Sequence, residues 1–167
     1  MVLEKLNQAE IIDLLGGIYE HSPWVAEILF SQGITSQDND VGFLAERMKR
    51  IVDTSSEEMK LNLLQAHPEL AGTLSISGNL TKDSTAEQAS AGLDQCSKEE
   101  FAEFSRLNFE YTKKFGHPFI IAVRGLTRSE ILTSFNDRLD NDSKKEFSTA
   151  MGEVHKIARL RLEQLSL

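Results

Sequence analysis

Residues 97–116, SKEEFAEFSRLNFEYTKKFG, decide the fold class. Ser97 followed three positions on by Glu100 satisfies two backbone donors that the first turn of a helix leaves orphaned, each side chain bonding the backbone of the other residue. Phe101, Phe104, Leu107, Tyr111 and Phe115 then mark one apolar face at helical spacing, and Gly116 fits the left-handed position just past a helix end. The same start signal recurs at Asn7 with Glu10, Ser55 with Glu58, Ser84 with Glu87, Thr127 with Glu130 and Ser143 with Glu146. So many starts predict an all-α domain.

Upstream, a first helix is expected from about Gln8 to the Gly16-Gly17 pair, where backbone entropy opposes continuation. Ser22 is expected to cap a second, with Pro23 at its first position and Gly33 past its end. Val41, Leu44, Met48 and Ile51 predict a third opening near Asp40. The fourth starts at Ser55 and stops close to His67, because Pro68 disfavours helical geometry in the residue before it. From Pro68 to Asp83 the chain is rich in Gly, Ser and Thr without periodicity, a long connection of the kind that often carries function. A helix from Thr85 to about Ala91 follows, stopped by Gly92. Downstream, Ile131, Leu132, Phe135 and Leu139 place a helix over residues 127–139, and Ser143 opens a last one of about twenty residues. Between Gly116 and Thr127, HPFIIAVRG is too brief and too β-branched for a helix, and reads as a short, extended, buried segment near residues 117–125. The expectation is a single domain over residues 1–167, a bundle of about eight helices.

Composition narrows the function classes. A chain of 167 residues, 40% apolar, is long enough to bury a core without a staple. Its single cysteine, Cys96, excludes an internal disulfide framework and a Cys-rich metal site. The net charge of −8 with no basic tract argues against nucleic acid or a polybasic membrane contact as partner. No apolar run approaches the roughly 20 residues that span a bilayer, and the opening MVLEKLNQAEIIDLL lacks the pattern of a leader. These features lead us to expect a cytoplasmic protein.

Three residues stand out for chemistry. His67 combines a pKa near neutrality with a helix end beside a loop, which suits acid–base work; a histidine held there by the helix dipole is the plain alternative. Glu87 with Ser84 reads on spacing alone as a capping pair with no further purpose. On the last helix, Phe147, Met151, Val154, Ala158 and Leu165 fall in one arc at 100° per residue; Arg161 lands inside it and Arg159 outside. A guanidinium facing the core must meet an acid, carbonyls or a ligand, since it cannot shed its charge. A buried ion pair and a ligand site are both open for it. Of the other histidines, His21 is expected to be exposed, His155 to face solvent or a partner, and His117 to be a weaker candidate than His67. No His pair at i, i+4 and no Cys/His cluster supports a zinc site.

The ordered series His67-Pro68-Glu69-Leu70-Ala71-Gly72, Ser84 with Glu87-Gln88, Ala91-Gly92-Leu93, Leu107-Asn108 through Tyr111, Lys114-Phe115-Gly116, Pro118-Phe119-Ile120-Ile121 and Ile157-Ala158 with Leu160-Arg161-Leu162 resembles the 2-oxo-4-hydroxy-4-carboxy-5-ureidoimidazoline (OHCU) decarboxylase family. The likeness covers nearly the whole chain. It implies an all-helical homodimer that removes CO2 from OHCU to give (S)-allantoin in urate breakdown, with no cofactor and no metal. By position it makes His67 the proton donor, Glu87 and Arg161 its catalytic companions around one anionic substrate, and Pro68 part of the pocket lining. Ser84, Thr85, Ala86 and Gln88 match one segment that contacts substrate in the family, and Phe119, Ile120, Ile121, Ala122 and Val123 match another, partly through backbone groups. Arg124, Gly125 and residues 73–79 carry no assigned role. The C-terminal Leu-Ser-Leu is not a Ser-Lys-Leu peroxisomal address. A related ureide or purine-ring hydrolase, or a helical interaction module without catalysis, are the competing readings.

Overall fold

The computed structural model describes residues 2–72 and 80–165, so the middle of the long connection, residues 73–79, lies outside the described residues. Among the described residues the protein is all-helical, as expected, with eight α-helices and no strand. They are α1 (Gln8–Leu15), α2 (Trp24–Ser31), α3 (Val41–Asp53), α4 (Glu57–Gln65), α5 (Lys82–Ser90), α6 (Lys98–Phe115), α7 (Arg128–Leu139) and α8 (Ser143–Gln164). Short 3-10 turns at Leu3–Lys5, Ser36–Asn39 and Leu93–Gln95 join them, and none of the three has the periodicity that would reveal it in sequence.

Where capping is local, the expected starts are present. Asn7 with Glu10, Ser97 with Glu100 and Thr127 with Glu130 form reciprocal capping boxes, and Asp40 caps α3 through the Phe43 amide. Gly116 closes α6 at φ +78°, a conformation a side chain would strain. Four starts differ. Ser56, one residue late, caps α4 by accepting from the Met59 amide. At α2, Pro23 occupies the cap position, and Ser22 Oγ donates to the Glu20 carbonyl rather than accepting from an amide of the helix's first turn. Helix α5 begins three residues before the expected Thr85, because Thr81, extended at ψ 158°, accepts from the Ser84 amide. Asp142 rather than Ser143 serves the first turn of α8, accepting from the Lys145 amide.

The chain divides into two compact units, Met1–Ala66 with Val154–Leu167, and His67–Glu153. In the first, α1 packs on α2 and α2 on α3, burying Ile11, Leu15, Val25, Leu29, Leu44 and Met48. Of the arc predicted for α8, Val154 and Ala158 are buried here and Leu165 is half-buried, while Ile157 and Leu162, outside that arc, are buried as well. In the second, Phe104, Leu107 and Tyr111 of α6, Ile131 and Phe135 of α7, and Phe119 and Val123 form one core with Leu70, Ala71, Ala91 and Leu93. Residues 118–123 form neither helix nor strand, and Phe119, Ile120 and Val123 among them are buried. Burial was legible for residues 117–123, whose apolar run has no solvent-facing alternation, whereas Arg124 and Gly125, included in the expected buried segment, are exposed.

Candidate active site

Helix α4 ends at Gln65, and the Ala66 amide still donates to the Asn62 carbonyl. His67 follows immediately, buried, and Pro68 prevents the helix from resuming. The chain then turns through Glu69 and Leu70 to Ala71, whose φ of +48° is unusual for a residue with a side chain. Two buried carboxamides hold this turn. Gln88 Nε2 donates to the Glu69 carbonyl at 3.2 Å, and Gln88 Oε1 accepts from the Ala71 amide at 3.1 Å. Asn108 Nδ2, from α6, donates to the Leu70 carbonyl at 2.9 Å.

The new start of α5 changes the reading of Glu87. With Thr81 as cap, Ser84 is the third helical residue and Glu87 lies a full turn inside, so the capping explanation for Glu87 no longer applies. Helical spacing puts Ser84, Glu87 and Gln88 on one face, with Ser84 and Gln88 buried and Glu87 half-buried. Thr85 and Ala86 are exposed on the other side, and Thr85 Oγ1 donates to the Thr81 carbonyl. Of the five residues in this segment, three therefore share one helix face, and Gln88 among them grips the turn that follows His67.

The 119–123 segment has many intramolecular partners. The Phe119 ring stacks on Phe135 with centroids 3.8 Å apart, and the Arg138 guanidinium lies 4.3 Å from the Phe119 ring centroid. Arg138 also donates to the Ile120 carbonyl at 2.6 Å, and the Ala122 amide donates to Glu153 Oε2 at 2.9 Å. Behind it lies a charged network that sequence reasoning missed. Glu146, fully buried, accepts from Tyr111 Oη, Arg138 Nε and Asn141 Nδ2. Its expected role as a capping glutamate of α8 is overturned, because Tyr111, Arg138 and Asn141 claim the carboxylate. Burial, reinforced by the hydrogen bond to Glu146, pushes the Tyr111 hydroxyl pKa well up.

Arg161 belongs to the other unit. It is 4% exposed, as its place on the apolar arc predicted, and Nη1 lies 2.6 Å from Glu20 Oε2 and 3.1 Å from the Gly17 carbonyl. Of the partners left open for this guanidinium, the structure supplies an acid, Glu20, and a carbonyl; Glu20 is itself buried in the turn between α1 and α2, where no periodic pattern draws attention to it. The solvent-facing reading of His155 is also overturned. Its side chain is 11% exposed and lies between Tyr19 Oη at 2.8 Å and Asp53 Oδ1 at 3.0 Å. His21 is exposed as expected, and burial keeps the Cys96 thiol pKa raised, so it is not an activated nucleophile. Among the described residues no group of three or more His, Cys, Asp or Glu is arranged to hold a metal ion.

The geometry thus offers a buried imidazole on a clamped turn, a carboxylate on an adjoining helix of the same unit, and, in the other unit, a buried guanidinium paired with an acid. Comparison with known proteins gives these positions a context. The family model described as OHCU decarboxylase matches residues 4–163. A 2-oxo-4-hydroxy-4-carboxy-5-ureidoimidazoline decarboxylase of Halalkalicoccus jeotgali is 40% identical, with 100% of this chain and 93% of that protein covered. The protein of the same description from Haloferax volcanii is 41% identical, with 97% and 92% covered. Among solved structures, a crystal structure of (S)-allantoin synthase superposes with a TM-score of 0.74 at 36% identity, covering 96% of this chain and 51% of that longer one. With a family model matched from residue 4 to residue 163 and relatives near 40% identity over almost their full length, the chain belongs to the OHCU decarboxylase family.

Proposed function

We propose that this chain performs its family's reaction, removing CO2 from OHCU to give (S)-allantoin in urate breakdown, with His67 as the proton donor to carbon. The observation that carries the reading is the family match across residues 4–163. Loss of CO2 leaves an electron pair on carbon, and the conjugated C=N and C=O of the imidazolinone ring can accept it, so the substrate supplies its own sink. The protein then has to orient the ring, stabilise the developing charge and deliver a proton to one face. A buried imidazole on a fixed turn suits the last task, because its neighbours restrict the direction from which it approaches. Glu87, released from a capping role, suits acceptance of ring or ureido N–H hydrogen bonds, and Ser84 shares its helix face.

Pro68 and the 119–123 segment are assigned to substrate contact on the same reading. Because the Phe119 side chain, the Ile120 carbonyl and the Ala122 amide already have protein partners, we assign that segment a shaping role supported by packing. Arg161 is assigned to the substrate's negative charge, with Glu20 as its buried counter-ion. A homodimer and a cytoplasmic location complete the proposal.

The test uses freshly generated OHCU, with CO2 release and allantoin chirality followed together. Uncatalysed loss of CO2 has no means of choosing a face, so enantiomeric excess separates enzyme from background. His67→Asn is expected to lower kcat/KM by about 10²- to 10⁴-fold and to abolish the excess of the (S) product. Wild-type turnover in that variant would remove His67 from the mechanism, and ring opening without CO2 would replace the lyase with a hydrolase.

A further inference from the structure

We infer that Gln88 and Asn108 are positioning residues for His67, two buried carboxamides whose work is to hold the backbone of residues 69–71 and, through it, the imidazole; this rests on the reading of His67 as proton donor. Three consecutive residues of that turn present a backbone group to a side-chain amide. The Glu69 carbonyl and the Ala71 amide bracket Leu70 and meet the two ends of the Gln88 carboxamide, as a neighbouring backbone would. The Leu70 carbonyl meets Asn108, which reaches it from a different helix. Both residues are 3% exposed, so bulk solvent has little access to these bonds. Only Pro68 separates the clamped turn from His67, and its fixed φ makes a stiff coupling. A shift of the turn is therefore passed on toward His67.

Two further observations point to geometry rather than stability as the reason for the arrangement. Ala71 is held at φ +48°, which a residue with a Cβ adopts only when its surroundings impose it. Asn108 Oδ1 is buried without a hydrogen-bond partner. Asn108 thus makes one bond and leaves one acceptor unmet, and the desolvation of the unmet acceptor offsets what the bond returns. Its net contribution to folding is small. What it supplies is the location of Leu70. Gln88, which the family likeness assigns to substrate, spends an oxygen and a nitrogen on the turn, so its contribution to the reaction passes through His67.

The test combines Asn108→Leu, Gln88→Met and Ala71→Gly with His67→Asn, measuring thermal unfolding, kcat, KM and enantiomeric excess. Asn108→Leu and Gln88→Met are expected to lower kcat by about 10- to 100-fold with KM changed less than about twofold, and to erode the (S) excess. Ala71→Gly keeps the fold in any case, since glycine accepts the left-handed turn, and should lose kcat several-fold because the turn is then free to wander. If the amides act through His67, Asn108→Leu adds no further loss in the His67→Asn background. Folded variants with wild-type kcat and chirality would make the cradle merely structural, and a raised KM at unchanged kcat would make Gln88 a direct substrate contact. Additive losses in the double variant would also overturn the inference. Wild-type turnover of His67→Asn alone would instead refute the donor assignment, so the two failures are distinct.

Discussion

Each unit of this protein buries one arginine against one glutamate, and the two pairs are embedded differently. In the His67–Glu153 unit, Arg138 and Glu146 sit in a web that draws in Tyr111 of α6, Asn141 ahead of α8, the Ile120 carbonyl and the Phe119 ring. In the other unit, Arg161 of α8 meets Glu20 and the Gly17 carbonyl, both in the short stretch that links α1 to α2. Taking two charges out of water is costly, and their attraction repays it only when the remaining polar atoms are also bonded. Both Glu146 oxygens are hydrogen-bonded, through several elements at once, while Arg138 Nη2 has the ion pair but no hydrogen bond; on the acid's side Glu146 acts as a fastening for the unit's core. Arg161 meets Glu20 and Gly17 in one turn, and it is the one that falls on a family motif. Composition is therefore no guide to role; connectivity is.

The sharpest way to break the comparison is to remove the acid of the more connected pair. Glu146→Ala strands Arg138 and deprives Tyr111 and Asn141 of their acceptor, and is expected to cost about 3–5 kcal/mol, read from urea unfolding. A loss below about 1 kcal/mol would show that the web is not a fastening. Next comes the exchange of arginine for lysine at each site. Arg161→Lys keeps the charge opposite Glu20 but loses the planar fork, so kcat/KM should fall by about tenfold, about 1.4 kcal/mol in the transition state, with little movement of the unfolding midpoint. Arg138→Lys loses the Ile120 bond and the flat contact with Phe119, and should move the midpoint more than Arg161→Lys does. The opposite ranking would mean that Arg161 is the structural ion and Arg138 the functional one.

The sequence made the fold legible wherever the physics was local. Asn7 with Glu10, Ser97 with Glu100 and Thr127 with Glu130 cap as expected because an i, i+3 pair needs nothing from the rest of the chain. The identical pattern misled at Ser84 with Glu87, where Thr81 opens the helix a turn earlier, and at Ser143 with Glu146, where the glutamate is claimed from 35 residues away by Tyr111. Arg161 shows both sides. Its inward direction followed from 100° per residue, whereas Glu20 could not be identified because a partner 141 positions distant leaves no periodic trace. His155 failed for the same reason, its partners Tyr19 and Asp53 lying 136 and 102 residues upstream. The amide cradle was the least legible part. Gln88 and Asn108 bond backbone, and a backbone group looks the same whatever residue carries it.

The smallest expected effect sharpens the comparison further, because each unit also holds a histidine whose pKa lies below 6.5. His155 accepts from Tyr19 Oη at Nδ1 and donates from Nε2 to Asp53, a tautomer set by those partners. His117 donates from Nδ1 to the Pro118 carbonyl and lies edge-on to Tyr111. Burial lowers both pKa values, and the Asp53 hydrogen bond for His155 and the Pro118 bond for His117 only partly oppose it. Both rings are thus neutral in the folded chain at pH values where an unfolded chain already takes up protons. Below pH 6.5 the unfolded state binds more protons than the native one, so stability falls with pH until the folded-state values are reached. Asp53 does not blur this window. Partial burial would raise its pKa, but hydrogen bonds from Lys49 and His155 hold it below 3.8, so the stability it contributes is lost only at lower pH. Unfolding temperatures between pH 7.5 and 5.5 should therefore decline in the wild type, less steeply in His117→Leu and in His155→Gln, and least in the double variant. An unchanged slope in the double variant would mean that neither ring is held neutral by its unit.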